Sequence, residues 1–459
     1  MTPALVMAAG WHIATHEVLA AAAVGIAAST LDDIAVDLAF LWLLVRRRVV
    51  SRPLPLSATL PGRMAVIVPA WDEAAVIGAM LSDLVRRLDY PDYTVFVGVY
   101  PNDPATRAAV VAVVDPHIVI VTCARPGPTT KADCLNHLWR ALVADEAVTG
   151  RPFKAIVLHD AEDVVDAAEL RVFDAAIPGL AMVQLPVMPL ADPASRWVSG
   201  HYLDEFAEAH GKDIVVRGAL GAGVPSAGVA CAIDRAVLGQ LAGAGGAPFD
   251  PSSMTEDYEI GMRIAALGYR GALLRCNGAN GVVATREHFP ATFETAVRQK
   301  TRWLLGIALD GWDRLGWSRG WTDRYMLLRD RKAIVAPLIA GLGYAAVVMV
   351  ALDAAATAMI PLADRFAPLA ARGSVLAWLL TGNAVALGWR LGCRAGFTAS
   401  VHGWREGIRA VPRTLVGNVI NAVAAVRAIR RYARIRAGNE TPRWDKTAHR
   451  FPGMPDPRP

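Results

Sequence analysis

The sequence predicts an α/β chain, a mainly parallel sheet domain flanked by transmembrane and interfacial helices. Three observations carry this. Between residues 64 and 267, short apolar runs alternate with amphipathic segments, the rhythm of βαβ units. Strongly apolar stretches stand on both sides of that region. Hydrophobic residues make up 54% of the 459 and charged residues 19%, with a mean hydropathy of +0.33. That balance fits one soluble domain joined to membrane segments.

Residues 1–45 are mostly apolar and end in Arg46-Arg47-Arg48. No Lys or Arg precedes residue 46, so a secretory signal with a basic start is a poor reading. Val18–Val45 is long enough to cross about 30 Å of hydrocarbon, but Asp32, Asp33 and Asp37 interrupt it. Acids in a membrane segment are costly and face protein or water. Either one helix packs them against other segments, or there are two shorter pieces. The basic cluster at 46–48 places this end in the cytoplasm and the N-terminus outside.

Residues 51–62 read as a linker rich in proline. Strands are expected at Met64–Val68, Tyr93–Tyr100, His117–Val121, Lys154–His159 and Ala181–Pro186. Helices are expected at Ala74–Leu88, Pro104–Val114, Ala132–Ala147, Ala167–Ala176, Asp192–Gly211 and Asp257–Leu267, the last capped by the Thr255 hydroxyl. From 292 to 331 the chain is rich in Trp and Arg, as suits helices lying along a membrane surface or an amphipathic helix on the soluble core. Ala333–Leu352 and Val375–Leu391 read as spans, and Leu415–Ile429 as a basic interfacial helix. The expected domains are therefore 1–50 (transmembrane), 60–290 (cytoplasmic and catalytic), 291–332 (interfacial), 333–392 (transmembrane) and 393–459 (basic helix and cytoplasmic tail).

The net charge is +5, with no basic-aromatic module of the kind that binds nucleic acid. Basic residues gather near the apolar ends, where they suit anionic membrane lipids. The five cysteines show no regular spacing, which argues against a disulfide framework and for a reducing compartment.

Chemistry concentrates at strand ends. Ala155–Leu158 breaks into His159-Asp160-Ala161-Glu162-Asp163. Adjacent carboxylates at the carboxyl edge of an α/β sheet are either a seat for a divalent cation or a solvated acidic turn. Val66-Ile67-Val68-Pro69-Ala70-Trp71-Asp72-Glu73 and Tyr100-Pro101-Asn102-Asp103 put further acids at the same edge. Lys131 and Asn136 open the next helix. Lys131 can reach a diphosphate or a base, or simply begin a helix. Thr255-Glu256-Asp257 stands at a helix start, where an ionised carboxylate can act as a base or as part of a cap. In Gln299-Lys300-Thr301-Arg302-Trp303, residues three apart share a helical face. A guanidinium there can fork onto phosphate, and an indole can carry a sugar ring or anchor at the interface.

The order of these strings, together with the flanking spans, resembles the family 2 glycosyltransferases of GT-A fold, whose membrane branch includes cellulose and hyaluronan synthases. Pro69–Glu73, Tyr100–Asp103, His159–Asp163 and Trp444-Asp445-Lys446-Thr447 look most like its inner-membrane bacteriophage-adsorption (NfrB-type) members. The resemblance implies that Ala70, Glu73 and Asp103 hold the uridine end of a UDP-sugar, with Lys131 near the nucleotide. It implies that Asp160 and Glu162, with Asp163 beside them, hold Mg²⁺ or Mn²⁺. Asp257, with Glu256 next to it, would be the catalytic base. Gln299, Arg302 and Trp303 would bind the diphosphate and the acceptor.

The expected function is inverting transfer from a UDP-N-acetylhexosamine in a bacterial inner membrane, by a multi-pass protein that builds an extracellular polysaccharide, a receptor for phage adsorption. Its partners would be the donor, a glycan or lipid acceptor, membrane lipids and an outer-membrane export partner. Two alternatives are transfer of one sugar to a lipid or short acceptor, and a sugar-nucleotide-binding scaffold. The cyclic di-GMP domain often found after the catalytic region in this branch has no counterpart in the sequence, so control by that nucleotide is not expected.

Overall fold

The computed structural model describes residues 3–47, 51–56, 60–279, 281–318, 320–359, 366–438 and 450–452. Arg48 and the Trp444–Thr447 string lie outside them.

In chain order, α1 (Pro3–Val45) and β1 (Arg52–Pro53) precede the sheet domain. Its first half alternates β2 (Met64–Pro69), α2 (Ile77–Arg87), β3 (Tyr93–Val99), α3 (Pro104–Val111), β4 (Ile118–Thr122), α4 (Lys131–Thr149), β5 (Ala155–Leu158) and α5 (Glu169–Ala176). Then come β6 (Met182–Gln184), β7 (Val187–Pro189), α6 (Gly200–Glu208), α7 (Ile214–Ala219), β8 (Cys231–Asp234), α8 (Arg235–Ala242) and α9 (Glu256–Ala266). Short strands β9 (Gly271–Leu273), β10 (Cys276–Gly278), β11 (Gly281–Val282) and β12 (Thr285–Glu287) follow. The remainder is helical: α10 (Phe293–Leu304), α11 (Gly311–Leu315), α12 (Trp321–Lys332), α13 (Ala336–Met359), α14 (Val375–His402) and α15 (Trp404–Arg436).

The main sheet has seven strands in the order β4-β3-β2-β5-β8-β6-β9. All its pairings are parallel except those of β8, which runs against both β5 and β6. The continuous apolar runs of β2 and β5 are buried along their whole length, as a sheet covered on both faces requires. Alternate residues of β2 enter different cores: Val66 and Val68 meet Leu81, Leu84 and Phe173, while Ala65 and Ile67 meet Leu135, Leu138 and Leu142.

Three local expectations need correction. The helix expected from Ala74 starts at Ile77, because Asp72 takes a left-handed φ of 56° and the Glu73 amide donates to Thr106 Oγ1 at 2.8 Å. The helix expected over Asp192–Gly211 begins only at Gly200, after a loop in which Ser195 Oγ donates to Ala291 O. The Thr255 side chain does not cap α9.

The acids of the N-terminal region sit on one unbroken helix of 43 residues. Arg329 reaches Asp32 at 2.8 Å, Arg390 and Lys332 reach Asp33 at 3.0 and 3.1 Å, and Lys212 of the sheet domain reaches Asp37 at 2.6 Å. Trp389 Nε1 also donates to Asp37. Towards the other end of the helix, His12 Nδ1 lies 3.0 Å from Asp353 of α13. Beyond Asp32, Val36 and Leu43 pack on Val216, Ala222 and Met326 of the sheet domain and α12.

Among the described residues two helical stretches, Val6–Val45 and Ala336–Ala358, are long and apolar enough to cross a membrane. The span expected over Val375–Leu391 is not one of them; it lies within α14, whose last turns carry Arg390 and Arg394. Leu415–Ile429 lies inside the 33-residue α15. That helix is held to α6 by Arg413, fully buried and 2.8 Å from Asp204.

Candidate active site at the carboxyl edge of the sheet

Parallel strands β2, β3 and β5 end side by side, so the strings following them share one edge. Because β8 runs the other way, the chain entering it arrives at that edge too: Cys231 pairs with Leu158. The edge thus gathers residues 70–73, 100–103, 159–163 and 226–230, with the N-terminus of α4 beside them.

Lys131, the first residue of α4, faces three acids. Its Nζ lies 2.5 Å from Asp160 Oδ1 and 3.9 Å from Glu256 Oε1. Burial disfavours its positive charge, but Asp160, Glu256 and Asp257 outweigh burial and raise its pKa above the ordinary range. The acidic string of β5 and the acids of α9 therefore face one ammonium. Burial, the neighbouring Asp257 charge and the partial offset from Lys131 bring Glu256 to about 7. Asp257 is likewise raised, chiefly by burial, with Lys131 and Arg302 pulling the other way.

The backbone makes room for Asp257. A Cβ on Gly228 would stand 2.8 Å from Asp257 Oδ2, and Gly228 has a φ of +81°; both features call for glycine. The loop beneath is pinned by buried Gln184, whose Nε2 donates to Val229 O and whose Oε1 accepts from Ala227 N. Helix α10, which carries Gln299, Arg302 and Trp303, closes in from the other side. A Cβ on Gly306, just beyond α10, would lie 2.5 Å from Thr255 Cγ2. Arg302 is close enough to lower the pKa of both Glu256 and Asp257. Trp303 packs edge-on to Tyr202 at 6.1 Å, with the Lys300 ammonium 4.7 Å from the Trp303 ring. Gln299 Oε1 is buried with no hydrogen-bond partner among the described residues.

The acidic string itself divides. Asp163 is buried and turned inward: its Oδ2 lies 2.6 Å from His159 Nδ1 and accepts from the Asp160 amide. His159 Nε2 meets Glu169 at 2.7 Å. Burial opposes a charge on this histidine, but Glu169 and Asp163 carry it up to about 10, so it stands between them as a cation. Val164 bridges Arg286, which brings β12 alongside the string. Glu287 there is pushed well up, by burial first and then by the charges of Asp163, Glu162 and Asp160. Among the described residues no three His, Cys, Asp or Glu side chains stand together as a metal cage. Surplus negative charge around Asp160 and Glu162 nevertheless suits a hard cation, since Mg²⁺ typically uses one or two carboxylates and takes its other ligands from phosphate and water.

At the nucleotide end, Ala70 is fully buried and Glu73 and Asp103 nearly so. Asp103 is already engaged, accepting from the Asp72 and Thr106 amides. Trp71 packs edge-on to Tyr100 at 5.1 Å. Asn102 makes two bonds to the Gly127 backbone and so folds the loop before α4 across Trp71. Asn136 is spent on the Phe249 backbone.

Residues 61–306 match the family described as Glycosyltransferase like family 2. The chain belongs to that family. It is 38% identical over 414 residues to bacteriophage adsorption protein B of Escherichia coli K12 and to bacteriophage N4 adsorption protein B of Escherichia coli O157:H7. Each match takes in 85% of this chain but 55% of the relative, so the chain spans about half their length. Among solved structures it resembles the mannosyltransferase PcManGT from Pyrobaculum calidifontis, solved with GDP-Man and Mn²⁺, at TM-score 0.53 and 19% identity, covering 90% of this chain and 99% of that one. The fold is thus GT-A.

Proposed function

We propose that the chain transfers a sugar from a UDP-linked donor, a UDP-N-acetylhexosamine, to an acceptor hydroxyl with inversion at the anomeric carbon. The main support is the single electrostatic unit formed by Lys131 with Asp160 on one side and Glu256 and Asp257 on the other. Ala70, Glu73 and Asp103 would frame the uridine, Asp103 by holding the turn rather than with a free carboxylate. Lys131 and Arg302 would grip the diphosphate. Trp303 and Gln299 would receive the acceptor, Gln299 through its unpartnered oxygen.

Asp160 and Glu162 would hold Mg²⁺ or Mn²⁺, with Asp163 fixing the loop that carries them. When bound, the metal offsets charge on the departing diphosphate. Asp257 accepts the proton of the acceptor hydroxyl as that oxygen bonds to the anomeric carbon and the bond to the diphosphate breaks.

The 20-residue interval between His12 and Asp32 spans about 30 Å of helix, the thickness of a bilayer's hydrocarbon. It supports α1 and α13 as an antiparallel pair in the bacterial inner membrane, with the sheet domain on the cytoplasmic side. The relatives' names support a surface polysaccharide used in phage adsorption as the product.

The test is to give membrane vesicles labelled UDP-sugars with Mg²⁺, Mn²⁺ or EDTA. Labelled polymer that depends on the metal is expected. Nucleotide binding without any transfer would leave only a scaffold.

A further inference from the structure

Helix α12 is built the wrong way round for a protein in water. Trp321, Arg324, Tyr325 and Leu328 recur at i, i+3, i+4 and i+7, so they form one face. That face is the open one: Trp321 is 83% and Leu328 55% exposed. With Trp317 they line a groove of about 590 Å³, within the range of small-molecule sites.

The opposite face is committed to the protein. Met326, Leu327 and Arg331 are buried. Asp323 accepts from the Gly223 amide at 2.8 Å. Asp330 accepts from Arg217 at 2.8 Å and from the Tyr258 hydroxyl at 2.6 Å. Tyr258 follows Asp257 directly, so α12 is bonded to the helix that carries the catalytic carboxylate.

We propose that this groove binds one anionic phospholipid, its acyl chain along Trp317, Trp321 and Leu328 and its phosphate on Arg324. Three features select this occupant. The helix that lines the groove leads into α13, which begins four residues after α12 ends and is, among the described residues, one of two helices apolar enough to cross a membrane. It lies level with the acids of α1, since Tyr325 donates to Asp32 at 2.6 Å. Aromatic side chains beside an arginine are suited to a bilayer's headgroup level.

Its charge is also complementary. The Arg324 guanidinium lies 5.6 Å from the Trp321 ring and gives only its Nε to Ser318 O among the described residues. Its terminal amino groups are left to fork onto a phosphate. On its inner side the groove is backed by Arg331, 4.0 Å from the Trp317 ring and 4.5 Å from the Trp312 ring. The membrane placement under Proposed function underlies this reading, but binding can be measured without any transfer.

The experiment uses the full chain in nanodiscs of phosphatidylcholine, alone or with phosphatidylglycerol. Either lipid carries bromine on its acyl chain, and tryptophan fluorescence is recorded without donor. Brominated phosphatidylglycerol should quench more strongly than brominated phosphatidylcholine. Trp321→Phe should remove that excess. Arg324→Gln should weaken the preference for phosphatidylglycerol about tenfold, and Asp257→Asn should leave it intact. Turnover of the wild type should be higher with phosphatidylglycerol, and Arg324→Gln should lose the difference. Equal quenching by the two lipids, or a preference that survives Arg324→Gln, would overturn the proposal. Lack of transfer with the quenching pattern preserved would count against the proposed function alone.

Discussion

Two groups of acids stand in this molecule, and they are balanced differently. On α1, Asp32, Asp33 and Asp37 each have a Lys or Arg nitrogen within 3.0 Å, from α12, α14 or the sheet domain. At the sheet edge, Asp160, Glu256 and Asp257 share Lys131, and the Glu287 carboxyl is pushed well above the ordinary range by burial and by its acidic neighbours. Matched acids join helices. Acids in excess of nearby cations raise one another's pKa values and leave room for a ligand that brings positive charge or removes a proton.

That contrast can be broken by substitution. The largest effect is expected from Asp257→Asn, which should lower transfer about 10²–10⁴-fold while calorimetry still detects UDP. Normal turnover would remove Asp257 as the base. Next, Asp160→Asn should weaken Mn²⁺ binding to the UDP-loaded protein about 100-fold by electron paramagnetic resonance. An unchanged spectrum would place the metal elsewhere.

Asp37→Asn tests the other group. Lys212 keeps Glu208 at 2.8 Å, so the loss should be about 1–3 kcal/mol, read as a lower unfolding temperature in detergent with turnover per folded molecule unchanged. A fall in turnover without a loss of stability would mean that the α1 acids serve the chemistry.

The smallest effect is a shift with pH. A raised carboxylate pKa means that a proton is kept to higher pH, so activity should be lost as pH falls through the raised range of the Asp257 base, whose neighbour Glu256 is itself brought up to about 7. The two acids titrate as a pair. Glu256→Gln removes a negative charge beside Asp257 and should move the limb to lower pH in a pH–rate profile. A limb that stays in place would separate the pair.

Much of this was legible in the sequence. Apolar runs that stop at acids gave the parallel strands and their shared edge, because period and punctuation are local properties. The reversal of β8 was not legible: Cys231–Asp234 reads the same in either direction, and only pairing shows that Gly228 reaches Asp257. Nor could spacing divide Asp160 from Asp163, since the division depends on His159 and Glu169 meeting behind the strand. Thr255 looked like a cap, yet its side chain is used against Gly306. The acids of α1 left two readings open. The sheet domain's Lys212 resolves them, and it lies 175 residues away in sequence.

The lysine at the start of α4 has one more consequence. An ammonium tethered to the chain serves as a resident counterion for the carboxylates that converge on it. Under the proposed function, any cation seated at Asp160 would have to share that carboxylate with the ammonium already 2.5 Å from it.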